Sequence, residues 1–142
     1  MNPGDVVFGY RLDSPIFESG PVRYFHARHT KLNEKSSVVI NVTGAAKNRA
    51  VELVSHLAAK SSDIFSPIEN VAEDGAGVCI ILDARYDARV GGPEFPQQIN
   101  IEAIANFIAD LLDSSIPDFS AAMPPTAWWD SRRQCLKLIG LP

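Results

Sequence analysis

The chain has 142 residues, 46% of them hydrophobic and 21% charged, with a formal net charge of −4 at pH 7. One compact soluble domain is expected, long enough to hide roughly 65–70% of its extended-chain surface on folding without help from a disulfide or metal. The acidity and the lack of any Lys/Arg-rich stretch argue against nucleic acid, whose binding draws on neutralised phosphates, and no apolar run approaches the roughly 20 residues of a bilayer span.

From the start of the chain, Met1-Asn2-Pro3-Gly4-Asp5 lacks the basic and apolar regions of a secretory signal, so no membrane association and a cytoplasmic location are expected. Residues 6–15, 22–29 and 36–43 are rich in Val, Ile, Tyr and Phe, with turn signals between them at Glu18-Ser19-Gly20-Pro21 and Lys31-Leu32-Asn33-Glu34-Lys35. Three strands in an antiparallel meander are predicted. Residues 44–60 carry Ala50, Leu53, Val54, Leu57 and Ala58 at the spacing of one helical face. Residues 68–72 and 78–84 read as a further hairpin across Glu73-Asp74-Gly75-Ala76-Gly77, with the acidic pair on its turn. The expected fold is α+β: a five-stranded antiparallel sheet with one inserted helix, followed by a helix and a short β-hairpin.

Two glycines and two prolines between residues 86 and 98 predict a linker or exposed loop, with Asp83, Arg85, Asp87 and Arg89 solvated. Asn100 is placed to cap the next helix, whose Ile101, Ile104, Ala105, Ile108, Leu111 and Leu112 form a stripe that should bury against something, and Pro117 should end it. After Met123-Pro124-Pro125, the Trp128-Trp129 pair, a polar turn at Asp130-Ser131-Arg132-Arg133 and residues 134–139 predict the closing hairpin.

Chemistry-bearing residues are sparse. Cys79 and Cys135 sit in apolar runs and read as reduced core thiols. His26, His29 and His56 have no cysteine or carboxylate at ligand spacing, so no metal or cofactor is expected. Three apart on a strand, His26 and His29 should face opposite ways, one exposed and one partly buried. No Gly-x-Ser-x-Gly elbow is present. Trp128 and Trp129 are the candidate partner contact, because adjacent strand residues send one indole to the core and the other to solvent or a partner.

Local runs add a resemblance. Phe17-Glu18-Ser19-Gly20-Pro21-Val22-Arg23-Tyr24-Phe25-His26-Ala27-Arg28 resembles Gly-Glu-Gly-Gly-Phe-Gly-Arg-Val-Tyr-Lys-Ala-Arg, and Val38-Val39-Ile40-Asn41 is placed like Val-Ala-Ile-Lys. Pro125-Thr126-Ala127-Trp128-Trp129-Asp130 and Leu136-Lys137-Leu138-Ile139-Gly140 resemble Pro-Ser-Asn-Ile-Leu-Leu-Asp and Val-Lys-Leu-Ile-Asp-Phe-Gly. Together with the element order, these runs resemble a degenerate, truncated Ser/Thr protein-kinase domain over about residues 8–142. The resemblance divides the chain into a small-lobe-like sheet and helix (1–85), a hinge-like loop (86–99) and a partial large-lobe-like helix and hairpin (100–142), within one compact unit.

The resemblance also implies that catalysis is lost. Phosphoryl transfer needs a phosphate cradle, a lysine anchor, metal carboxylates and a base. Phe17, Ser19 and Val22 stand at the three glycine positions, Pro21 has no N–H to donate, and Asn41 replaces the lysine that Glu52 would pair with. Ala122, Ala127 and Gly140 fall near the catalytic aspartate, the metal-binding asparagine and the metal-carrying aspartate, and none ligates Mg²⁺. The implied role is an inactive pseudokinase-like scaffold for a protein partner, such as a kinase or a component of a bacterial signalling or secretion assembly. Two alternatives stand beside it: a small acidic adaptor resembling type III secretion chaperones, which would form a homodimer through one apolar face, and a non-catalytic nucleotide sensor.

Overall fold

A computed structural model describes residues 2–32, 35–59, 66–73, 76–113 and 126–139. They form an α+β fold with a curled six-stranded antiparallel sheet, two α-helices and a separate two-stranded hairpin. The strands are β1 (Val6–Val7), β2 (Tyr10–Ser19), β3 (Val22–His29), β4 (Ser36–Thr43), β5 (Ile68–Glu73) and β6 (Gly77–Leu82), hydrogen-bonded in the order β1-β2-β3-β4-β6-β5. Helix α1 (Ala46–Ala59) joins β4 to β5, a 3-10 turn at Tyr86–Ala88 follows β6, and α2 (Ile101–Asp113) precedes the hairpin of β7 (Thr126–Asp130) and β8 (Cys135–Ile139).

The sixth strand corrects the expectation of one unbroken strand over residues 6–15. Phe8 and Gly9 both take positive φ, at 50° and 79°, and the chain doubles back so that Val6 pairs with Arg11 and Val7 with Tyr10. A two-residue turn with both centres at positive φ is the tight hairpin favoured by strand twist. Phe-Gly is not the usual Asn-Gly or Asp-Gly signal for it, so the break was not legible. Between β2 and β3 the turn narrows to Gly20-Pro21, with Gly20 at φ 55°.

Alternation along β3, β4 and β6 divides the interior into two layers. Tyr24, Val38, Ile40, Val42, Val78, Ile80 and Leu82 face one way and pack with Ala50 and Val54 of α1, and with Trp128 and Ile139 of the hairpin. Phe25, Ala27, Val39, Cys79 and Ile81 face the other way, where they meet Tyr10 and Leu12 of β2. No helix covers this second layer among the described residues; the sheet buries it by curling. Two irregularities in the β2 pairing, at Asp13 and Ile16, bend the strand, as an extra residue on one side of a ladder does. Pro15 is tolerated there because β1 pairs only with Arg11 and Tyr10, leaving that stretch of β2 an edge with no donor required. Gly77 is needed for a different reason: a Cβ on it would lie 2.5 Å from the Val42 carbonyl oxygen.

Further along, the 86–98 stretch begins with a turn whose Ala88 is buried and whose Tyr86 packs against the first layer, while Val90, Gly91, Pro93, Glu94, Gln97 and Gln98 are exposed. One expectation is corrected. The stripe of α2 is not buried where it is described, for Ile101, Ile104 and Ile108 are 81%, 38% and 49% exposed. Ala103 and Phe107 are its half-buried positions, and the helix lies against β8. Asn100 caps it as read, its Oδ1 accepting the Glu102 N–H at 2.8 Å. Pro117 and the 123–125 stretch lie outside the described residues. No helix among the described residues is long and apolar enough to cross a membrane.

Candidate functional site

The hairpin is built around one buried carboxylate. Asp130, 2% exposed, accepts the backbone N–H of Arg132 at 3.1 Å and of Arg133 at 3.2 Å, and the Arg133 guanidinium at 2.7 Å. Burial pushes this carboxyl up, but the Arg133 side chain and the two backbone donors together outweigh it and hold the group below the usual carboxylate range. The turn thereby fixed sets the phase of β7, in which Trp128 pairs with Lys137 and Trp129 with Leu136.

Adjacent on the strand, the two indoles part company. Trp128 is 4% exposed and its Nε1–H donates to Ser66 Oγ at 2.8 Å, while the Ser66 hydroxyl donates to the Leu138 carbonyl at 2.7 Å. Trp129 is half-buried, and an edge of each indole lines a cleft of about 720 Å³. Its other walls are Leu32, Lys35 and Ser36 ahead of and at the start of β4, and Asp83, Arg85, Ala88 and Glu94 after β6. Arg132 meets Asp83 at 3.2 Å and Arg85 meets Glu94 at 2.6 Å; the Arg85 partner holds the Glu94 carboxyl below its ordinary range. The lining sets Lys35, Arg85 and Arg132 against Asp83, Glu94 and Asp130, so the cleft favours neither anions nor cations.

Of the described positions matched to kinase catalytic residues, Phe17, Val22, Asn41, Glu52 and Ala127, none lines this cleft. Phe17 and Val22 pack against the first core layer, and Phe17 meets Tyr24 edge-on at 6.3 Å. Asn41 pairs with Arg23 and Cys79 and, lying between Ile40 and Val42, faces the second layer, away from α1. Glu52 on α1 is exposed, and the two are not brought together. Ala127 is half-buried on β7, whereas Ala122 and Gly140 lie outside the described residues, as does the Ser19 side chain.

His26 and His29 do take opposite faces, but neither is exposed: His26 is buried and His29 half-buried, its Nδ1 accepting the N–H groups of Lys31 and Leu32 at 3.1 and 3.0 Å. The side chain of His56 lies outside the described residues. Both thiols are unbridged, Cys79 in the core and Cys135 half-buried. Among the described residues, no group of three or more His, Cys, Asp or Glu side chains converges in a way that could hold a metal ion. Ser66 and Glu69, which tie distant elements together, were missed because each gains its role from a partner far away in sequence. No family model matches the chain, and no curated protein matches it.

Proposed function

We propose that this chain is a protein-binding module without catalytic activity, which takes a basic, amphipathic segment of a partner protein along α2. The outward Ile101, Ile104 and Ile108 carry the reading, since an aliphatic helix face turned to water is the feature that helix-in-groove and helix-pairing contacts use. Charge selects the occupant. Helix α2 carries no basic residue and the chain has a net charge of −4, so a Lys/Arg-bearing segment is favoured through long-range attraction.

The test uses two synthetic amphipathic helical peptides, one Leu/Lys and one Leu/Glu, in fluorescence anisotropy against the wild-type chain and an Ile104→Glu/Ile108→Glu variant. The Leu/Lys peptide alone should bind, more weakly as salt rises, and the variant should lose it. Equal binding of both peptides overturns the reading. So does a dimer in sedimentation that the double substitution dissociates, which would favour the secretion-chaperone-like adaptor.

Descent from a kinase-like domain is a separate proposal. Element order and the matched runs support it, and the uncharged Phe17, Val22, Asn41 and Ala127 support inactivity. The turning of Asn41 away from α1 counts against the register, because the kinase lysine and helix glutamate form an ion pair.

A further inference from the structure

His26 is the one buried histidine among the described residues, 7% exposed, and its Nε2 has no hydrogen-bond partner. Its ring lies 5.7 Å from that of Tyr86, tilted at 44°. The opposite demand on Tyr86 comes from Arg89, whose guanidinium carbon is 4.0 Å from the ring centroid and whose Nη1 donates to the Tyr86 carbonyl at 3.0 Å. Next along, Asp87 is held by Arg28 Nη2 at 3.7 Å, and the same guanidinium donates through Nε to Asp13 at 3.0 Å. The turn therefore rests on the sheet through His26 and Arg28. Immediately beyond it, Val90 N–H donates to the Ala127 carbonyl at 2.9 Å and Arg89 bridges to Trp128, which makes the turn the strap between sheet and hairpin.

We propose that His26 is a pH-sensitive latch whose protonation releases the Tyr86–Ala88 turn and, through Val90 and Arg89, loosens the hairpin and the wall of the Trp129 cleft. A second proton would put a charge and a new donor where no acceptor is aimed. The surrounding charges do not rescue it: Asp13 from β2 and Asp87 from the turn favour the cation, Arg28 from β3 and Arg89 after the turn oppose it, and Glu94 is already engaged by Arg85. Burial is the largest influence and holds the imidazole below its ordinary 6.5. The closed strap is thus fully favoured above 6.5 and is lost as pH falls through the depressed value. None of this depends on what binds α2.

Hydrogen exchange at the Val90 amide, corrected for intrinsic rates, and tryptophan emission should be followed from pH 7.5 to 4.5, with far-UV circular dichroism as the measure of global folding. Protection should fall about tenfold for each unit by which the His26 value is depressed, emission should shift to the red, and the dichroism should hold. His26→Phe should abolish the pH dependence. In the wild type alone, protection should begin to fall near 6.5 and level off at the NMR titration midpoint of His26, so the latch can be judged even if the variant fails to fold. Protection that keeps falling well below the His26 midpoint, an unchanged pH dependence in His26→Phe, or loss of dichroism together with protection would each overturn the latch.

Discussion

The phenolic hydroxyl of Tyr10 donates to the Glu69 carboxylate, 3.1 and 3.0 Å from its two oxygens, although β3, β4 and β6 lie between their strands in the sheet. At about 4.8 Å per strand, a flat sheet would hold β2 and β5 roughly 19 Å apart; the contact requires curling. An irregularity between Ile68 and Asn70 leaves Glu69 as the extra residue in the β5 ladder, which re-aims its side chain across the open side of the cup. Lys35 completes the clip, 2.6 Å from Glu69 Oε1 and 5.8 Å from the Tyr10 ring centroid. Burial and the neighbouring carboxylate raise the Tyr10 hydroxyl, and Glu69 raises the Lys35 ammonium.

Opening the clip should weaken the second core layer. Tyr10→Phe keeps the ring and removes the donor, so urea unfolding should show a loss of about 1–2 kcal/mol. A double-mutant cycle with Glu69→Gln should give a coupling well above the few tenths expected of independent sites.

Ser66→Ala should cost about 1–3 kcal/mol by leaving the Trp128 indole N–H buried without an acceptor. The same variant should redden the tryptophan emission, because Ser66 is the far anchor of the hairpin. Unchanged stability and emission would mean that the hairpin is held without the Ser66 hydroxyl, through its backbone hydrogen bonds and packing.

A second acid window should appear below 3.8, from Asp130. The Asp130 carboxyl is held below its ordinary 3.8, so its contribution is present above 3.8 and is lost as pH falls through the lower folded value. In a His26→Phe background, tryptophan emission should stay flat to about pH 4 and shift only beneath it. Asp130→Ala should remove this step and destabilise the hairpin at neutral pH.

Gly77→Ala should be among the most damaging single changes, costing about 2 kcal/mol or more as backbone is forced apart where β6 meets β4. Gly20→Ala has open space around it and pays only for its positive φ, about 1 kcal/mol. Thermal melts of the two variants should rank in that order.

With Mg-ATP, neither phosphate transfer to a generic acceptor protein nor a magnesium-dependent thermal shift should be observed. Either one would displace the binding-module reading in favour of a catalytic or nucleotide-sensing role.

Much of the fold was legible in local pattern. Runs rich in Val, Ile, Tyr and Phe between turn signals marked β3 and β4, a continuous apolar run marked β6, helical spacing marked α1 and α2, and Asn100 marked the start of α2, because each depends on neighbours within a few positions. The adjacency of Trp128 and Trp129 was enough to separate their faces, since strand geometry alternates whatever the sheet packs against. Less was legible in the candidate site. Nothing near Tyr86 announces a strap, and His26 looks like any strand histidine until Tyr86 is laid over it.

Sequence alone determined most of the segments that extend and those that coil, because these follow from backbone sterics and residue type over a few neighbours. Tertiary structure decided that the sheet curls until Tyr10 reaches Glu69, that Asn41 turns from α1, and that the isoleucines of α2 face outward. Each of these depends on where a distant segment comes to lie, and a pattern read over a few neighbouring residues carries no information about that distance.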